Sequence, residues 1–169
     1  MWNPHRPFLL FLPLVLLSLM PSSAHAILPG GDVAFGYSYL GANTIYANAP
    51  GLNGWDAAGH LKIAPFLGAE VDVAHYGYGA AASVVRTTTC MAGPRVTLGA
   101  AGIHVFAHIL VGGRHSANSG GPTPISANGF VGDGGGGADF RIAPFFALRV
   151  SADYINKSYR FGTGLVFRF

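Results

Sequence analysis

Acidic and basic side chains recur at intervals of two along several stretches of this chain. Paired carboxylates such as Glu70 and Asp72 are the residue type that general acid and base catalysis needs. Basic residues occur in the same or similar stretches, which favours a structural set of ion pairs, because buried charges persist by pairing with opposite charges. The predicted set consists of Asp56, Lys62, Glu70, Asp72, Arg95, Asp139, Arg149, Asp153 and Arg160.

Two histidines raise the question of a zinc site. His104 and His108 would share one face of a helix, but along a strand the same spacing separates them by about 13 Å. They cannot chelate one ion together, and we expect ordinary histidines that face the same side of a strand. No metal site and no cofactor is predicted.

Other residues offer weaker catalytic candidates. The run Gly134–Gly137 lacks the Gly-Lys-Ser/Thr ending of a phosphate-binding loop, so we expect it to permit close packing or a bend. His75 and the pair His115 and Ser116 could belong to a lipid-modifying enzyme. Because no nucleophile, base and orienting acid share a recognisable motif, we expect no enzymatic activity and keep a lipid-modifying barrel enzyme as an alternative.

The N-terminal segment reads as an export signal. Arg6 precedes a short apolar run, Phe8–Met20, and Ala24 and Ala26 supply an Ala-x-Ala ending. The run is shorter than the roughly 20 residues that a membrane-crossing helix needs, and Pro13 interrupts it. We predict a signal peptide over residues 1–26, with cleavage after Ala26.

Residues 27–169 form the one remaining predicted domain, and the chain carries little charge. Hydrophobic residues make up 50% of the 169 residues and charged residues 10%, whereas a soluble domain usually has about 25% charged residues. The formal net charge of +3 comes without a basic run, so nucleic acid is not expected as a partner. Cys90 is the one cysteine, so no intramolecular disulfide is predicted.

A period-two alternation dominates from Val33 onward and predicts eight β-strands. Within these segments the charged residues all lie on the face opposite the large apolar residues. That opposite face consists largely of Gly, Ala and Ser, which favours a membrane barrel with a polar interior over a soluble one. The predicted strands lie near residues 33–39, 54–63, 67–78, 90–98, 103–113, 129–140, 146–155 and 159–169.

Long and short links alternate between these predicted strands. Long links are predicted near 40–53, 79–89 and 114–128, and short ones near 64–66, 99–102 and 141–145. Short periplasmic turns and long external loops are typical of outer-membrane barrels. The last external link, 156–158, is predicted to be a tight turn.

The chain resembles the small eight-stranded outer-membrane β-barrels, in particular the barrel domain similar to outer membrane protein A. The likeness covers residues 27–169 and rests on the hairpin order and on three segments, Gly93-Pro94-Arg95, Gly135–Asp139 and Gly164–Phe169. The resemblance implies an all-β, transmembrane, antiparallel up-and-down barrel of about eight strands. It also implies export through the periplasm to the outer membrane of a Gram-negative cell.

The C-terminal segment resembles the assembly signal of that family. Gly164, Phe167 and Phe169 match its glycine, aromatic and terminal phenylalanine, whereas Gly162 stands where a polar residue is usual. The implied partners are the barrel-insertion machinery, periplasmic chaperones during assembly and outer-membrane lipid.

A barrel of about eight strands holds only side chains in its interior, so we expect the charged residues to plug the lumen. The predicted function is structural support of the envelope or surface interaction through the loops, and the sequence does not identify a surface ligand. Porin-like passage of small solutes or ions is the second hypothesis. A secreted soluble binding protein is a further alternative, and it predicts folding without detergent.

Overall fold

The computed structural model describes residues 30–41, 51–80, 83–118 and 125–169, and the predicted signal peptide lies outside these ranges. Each strand pairs antiparallel with the next, and β1 pairs with β8, so the sheet closes into a barrel. The predicted all-β up-and-down barrel is confirmed. The strands are β1 Gly31–Leu40, β2 Leu52–Lys62, β3 Leu67–Ala80, β4 Ser83–Ala100, β5 Ile103–Asn118, β6 Ile125–Arg141, β7 Phe146–Ile155 and β8 Ser158–Arg168.

Side chains alternate between the lumen and the exterior along each strand. In β1, Val33, Phe35 and Tyr37 are exposed on the outside, whereas Ala34 and Ser38 are buried in the lumen. The other strands repeat this arrangement, so a band of large apolar side chains surrounds the barrel. An outward apolar band is the surface that lipid requires of a membrane barrel. Among the described residues, no helix is long and apolar enough to cross a membrane.

Strands β4, β5 and β6 are longer than predicted, at 18, 16 and 17 residues. The long link predicted at 79–89 is therefore wrong, because β3 reaches Ala80 and β4 begins at Ser83. Residues 114–118 and 125–128, predicted as a link, are likewise strand. Thr87, Thr88 and Thr89 are β-branched and favour strands, but they are polar on both faces and hide the alternation.

The two ends of the barrel differ. Gly30, Phe169 and the turns 63–66, 101–102 and 142–145 lie at one end, which we call the terminus side; the opposite end is the loop side. Gly31 and Phe169 exchange two backbone N–H to C=O hydrogen bonds of 3.1 Å at the terminus side. The turn between β4 and β5 consists of Ala101 and Gly102, both with positive φ.

A two-residue turn, Asn156 and Lys157, joins β7 to β8 at the loop side, as predicted. Both residues have positive φ, 44° and 69°, which asparagine tolerates better than most residues. The Asn156 amide donates to the Phe130 carbonyl and accepts from the Gly132 N–H, each at 3.2 Å. These bonds tie the turn to β6, which continues past the end of β7.

Candidate functional site: the charged lumen

All acidic residues of the sequence lie on the lumen face of their strands. Six are buried, and Asp56 is half-buried. The six buried ones meet arginines from other strands and form two clusters, one nearer each end of the barrel. The seven are Asp32, Asp56, Glu70, Asp72, Asp133, Asp139 and Asp153.

The first cluster lies toward the terminus side. Arg149 donates from Nε to Asp139 Oδ1 at 2.7 Å and from its terminal nitrogen to Asp32 Oδ1 at 2.9 Å. Arg168 reaches Asp139 Oδ2 at 3.0 Å. Arg95 Nη1 lies 3.3 Å from Asp32 Oδ1 and 3.5 Å from Glu70 Oε2, and its Nη2 lies 3.5 Å from Asp139 Oδ2. We call Asp32, Glu70, Asp139, Arg95, Arg149 and Arg168 the terminus-side cluster.

An aromatic ring packs within this cluster. The guanidinium carbons of Arg95 and Arg149 lie 4.0 and 4.6 Å from the centroid of the Phe106 ring. Cations held over an aromatic face in a desolvated site are attracted by the ring quadrupole. Gly137 leaves room for the ring, because a Cβ there would lie 3.0 Å from Phe106 Cζ and 2.2 Å from the Val150 carbonyl oxygen. A Cβ at Gly135 or Gly136 would also lie within 2.3 Å of a neighbouring strand, whereas one at Gly134 would meet nothing within 4 Å, so three of the four glycines serve close packing.

The second cluster surrounds a single guanidinium nearer the loop side. Arg160 contacts Asp72, Asp133 and Asp153, each at 2.8 Å and each through a different nitrogen. Asp133 Oδ1 is buried and has no hydrogen-bond partner among the described residues. We call Arg160 and its three carboxylates the loop-side cluster.

One histidine joins the two clusters. His108 Nδ1 lies 3.3 Å from Glu70 Oε2, and its Nε2 lies 3.2 Å from Asp153 Oδ1. His108, predicted as an ordinary histidine, therefore bridges two carboxylates. Ligand atoms of His108, Asp133 and Asp153 lie within 4.8 Å of one another, a spacing that could suit a metal ion. Arg160 already places a positive charge against both of these aspartates.

Seven of the nine predicted lumen charges belong to these clusters: Glu70, Asp72, Arg95, Asp139, Arg149, Asp153 and Arg160. The other two are not in ion pairs within the described ranges. Asp56 faces the lumen, but its buried Oδ1 has no hydrogen-bond partner there. Lys62 is exposed and lines a small cavity at the terminus-side mouth.

Sequence reasoning missed several members of the clusters. Asp32 lies one residue before the predicted start of the first strand, in phase with its lumen face. It also accepts a 3.0 Å hydrogen bond from His60. Asp133 and Arg168 lie on the charged faces of predicted strands, so taking every charge on those faces would have found them.

Apolar side chains form a further packed layer of the lumen. Tyr76, Met91, Leu110 and Val131 are at most 1% exposed and belong to one cluster toward the loop side. Tyr76 also shares a 3.1 Å hydrogen bond with the hydroxyl of Ser38. The interior at this level consists of packed side chains, as a barrel of eight strands leads one to expect.

The predicted assembly residues lie in β8 and just after it. Gly164 faces Gly36 of β1, and a Cβ at Gly164 would lie 2.5 Å from the Phe35 carbonyl oxygen. Phe167 and Phe169 are exposed on the outside, with ring centroids 6.5 Å apart. Gly164 thus has a packing role at the β1–β8 seam, and recognition of the segment by insertion machinery stays a prediction.

The candidate residues of a lipid-modifying enzyme do not form a catalytic group. His115 and Ser116 lie within β5, not at the start of a loop as predicted. Their side chains face opposite ways: Ser116 is buried against Thr87, with the hydroxyl oxygens 3.1 Å apart, and His115 contacts Asn128 outside. Since every carboxylate side chain of the sequence faces the lumen, outward histidines have no side-chain acid to orient them.

The fold is similar to solved outer-membrane barrels. The attachment invasion locus protein Ail of Yersinia pestis matches with a TM-score of 0.63 and 17% identity, over 83% of this chain and 99% of that chain. Neisserial surface protein A matches with a TM-score of 0.62 and 12% identity, over 83% and 96%. The N-terminal barrel of Pseudomonas aeruginosa OprF gives 0.59 and 16%, over 83% and 98%.

No family model matches the sequence, and no curated protein matches it. At these identities the structural likeness concerns the fold. The chain therefore has the fold of the small outer-membrane β-barrels, with eight strands in one closed sheet.

Proposed function

We propose that this protein is a non-enzymatic outer-membrane β-barrel that supports the envelope or contacts partners at the cell surface through its loops. The observation that carries the proposal is the sorting of side chains: ion pairs lie inside the barrel and an apolar band lies outside. An exterior of large apolar side chains is favourable in contact with lipid hydrocarbon and unfavourable in contact with water.

Two observations support a surface role: the composition of the segments at the loop side and the names of two similar structures. Residues 42–50 and 119–124 contain Asn, Thr, Ser, Tyr and Pro but no charged residue. Two similar structures are named an attachment invasion locus protein and a surface protein. That likeness supports contact at the cell surface as the role of the loop side.

The test of membrane insertion uses the chain without its predicted signal, residues 27–169. We expect it to refold into phosphatidylcholine vesicles and to migrate faster on gels when unheated than when boiled. Trp55, which is exposed on the outside, should be quenched by lipids brominated on their acyl chains. A monomer that folds in plain buffer and ignores vesicles would overturn the membrane assignment.

The plugged lumen distinguishes the proposal from porin-like passage. Buried ion pairs and packed apolar side chains occupy the interior at two levels. Planar bilayers containing the refolded barrel should therefore show no stable large conductance. If barrels that retain heat-modifiable migration show steady large openings, the plugged lumen is wrong and porin-like passage is favoured.

A further inference from the structure

Four neighbouring strands, β3 to β6, present polar side chains to the exterior on the loop side. Outward residues of β3, β4, β5 and β6 that face one another in the sheet are His75, Thr88, His115 and Asn128. His75 Nδ1 lies 2.8 Å from Thr88 Oγ1, and His115 Nδ1 lies 2.7 Å from Asn128 Oδ1. Arg86 is exposed two residues nearer the loop side on β4. We call these five residues the polar patch.

The opposite wall of the barrel is aromatic on its loop side. Tyr37, Tyr39, Tyr154 and Tyr159 are exposed there, and Tyr154 and Tyr159 have ring centroids 5.4 Å apart. Such rings are favoured at the boundary between hydrocarbon and headgroups. The polar patch therefore breaks the aromatic girdle on the side where the strands are longest.

The polar patch contains a positive charge and no negative charge. Every acidic side chain of the sequence faces the lumen, so Arg86 has no outward carboxylate of this chain as a neighbour. An arginine on the lipid side of a barrel costs about 2–4 kcal/mol at mid-bilayer and little near the interface. The patch suits a negatively charged, hydrogen-bonding group at headgroup level.

A groove adjoins the patch. It measures about 380 Å³ and is lined by residues of β4, β5 and β6 that include Thr88, Cys90, Gly113, His115 and Asn128. A Cβ at Gly113 would meet nothing within 4 Å, so the glycine leaves the groove open. Val111 and Phe130 are exposed two positions nearer the terminus side than Gly113 and Asn128, so the apolar band lies next to the groove.

We propose that the polar patch binds the phosphorylated headgroup of an anionic lipid in the leaflet at the loop side. This inference rests on the proposed function, because it needs the barrel to lie in a bilayer. The Arg86 guanidinium donates to phosphate oxygens in a planar fork. Thr88 lies two positions away on the same face of β4, and His115 opposes Thr88 on β5. The acyl chains of the lipid cover the apolar band below.

The test measures binding of bis-phosphorylated lipid A to the refolded barrel in neutral detergent by native mass spectrometry. We expect Arg86→Gln to weaken binding about tenfold, the range for a charge-assisted hydrogen bond to phosphate. Two matched controls remove one exposed cation each: Lys157→Gln at the loop side but away from the patch, and Arg141→Gln at the terminus side. Both should stay within about twofold of the original chain, because neither lies in the patch.

Two further arms identify the source of the phosphate. Lipid A stripped of both phosphates should bind at least as weakly as the Arg86→Gln barrel binds the intact lipid. Inorganic phosphate at millimolar concentration should not displace the lipid; complete displacement would overturn the lipid assignment in favour of a free anion. Equal losses in Arg86→Gln and Lys157→Gln would overturn the site, since diffuse attraction treats both cations alike.

Heat-modifiable migration is read on every sample. Barrels that fold but bind the intact lipid and the stripped lipid equally overturn the headgroup site and leave the proposed function standing. A chain that forms no detergent-stable barrel overturns the proposed function and the headgroup site with it.

Discussion

The two charged clusters of the lumen differ in their balance. The terminus-side cluster sets three carboxylates against three guanidinium groups and adds the Phe106 ring. The loop-side cluster sets three carboxylates against Arg160 alone, with His108 bridging one of them to Glu70. One interior therefore contains a redundant set of ion pairs and a set that depends on a single cation.

The largest effect is expected from Arg160→Met, which leaves three buried carboxylates around an uncharged side chain. Removing one partner of a buried ion pair costs about 3–5 kcal/mol. The free energy of unfolding should fall by that amount in urea titrations of the vesicle-bound barrel, followed by Trp55 fluorescence.

Lys157→Met is the matched control, because Lys157 is exposed in the neighbouring turn. It should change the free energy of unfolding by less than about 0.5 kcal/mol. If both variants unfold at the same urea concentration, the single-cation description of the loop-side cluster is wrong.

A pair of isosteric changes compares the clusters directly. Asp139→Asn removes a carboxylate that contacts Arg149 and Arg168 within 3.0 Å, and should cost about 2 kcal/mol or more. Asp133→Asn removes negative charge where it is in excess, while Arg160 keeps Asp72 and Asp153. It should change stability by less than about 1 kcal/mol.

Urea midpoints of the two asparagine variants, measured in the same vesicles, check this ordering. A larger loss for Asp133→Asn than for Asp139→Asn would show that the loop-side cluster has no excess of negative charge.

The smallest effect is expected from Lys62→Gln. Lys62 is exposed at the terminus-side mouth and contacts no carboxylate oxygen within 4 Å in the described ranges, so its loss should cost less than about 0.5 kcal/mol. Unfolding curves of the variant and the original chain should overlay. A loss above about 1 kcal/mol would add Lys62 to the terminus-side cluster.

Alternation predicted the strands and the shared face of the charged residues, and the small residues on that face and the family resemblance indicated a barrel with the charges inside. The face of a side chain depends on its place in the alternation and not on where the strand begins or ends. The wrong predicted ends of β4 therefore left Arg95 on the lumen face. The same rule identifies Glu70 and Arg149 as lumen residues without any knowledge of their neighbours. The fold class and the existence of a charged interior were therefore predictable.

The partners within the lumen were not predictable from the pattern. Asp32 and Arg149 are 117 positions apart and meet only because the sheet closes. The stagger of eight strands decides which carboxylate reaches which guanidinium, and alternation contains no information about that stagger. For this reason Lys62 and Asp56 were wrongly predicted to form ion pairs, and the contacts of His108 with two carboxylates were not predicted.

The pairing of β1 with β8 has a kinetic consequence. Asp32 opposes Arg168, so the ladder that completes the sheet joins residues from opposite ends of the domain. Chains that depend on such distant contacts fold slowly, because loop-closure entropy is lost before the contacts form. Once the seam is shut, releasing any strand breaks two ladders at once. Denaturation and renaturation curves of this barrel should therefore differ after short incubations and superimpose only after long ones, which is the condition under which the urea midpoints of the variants are compared.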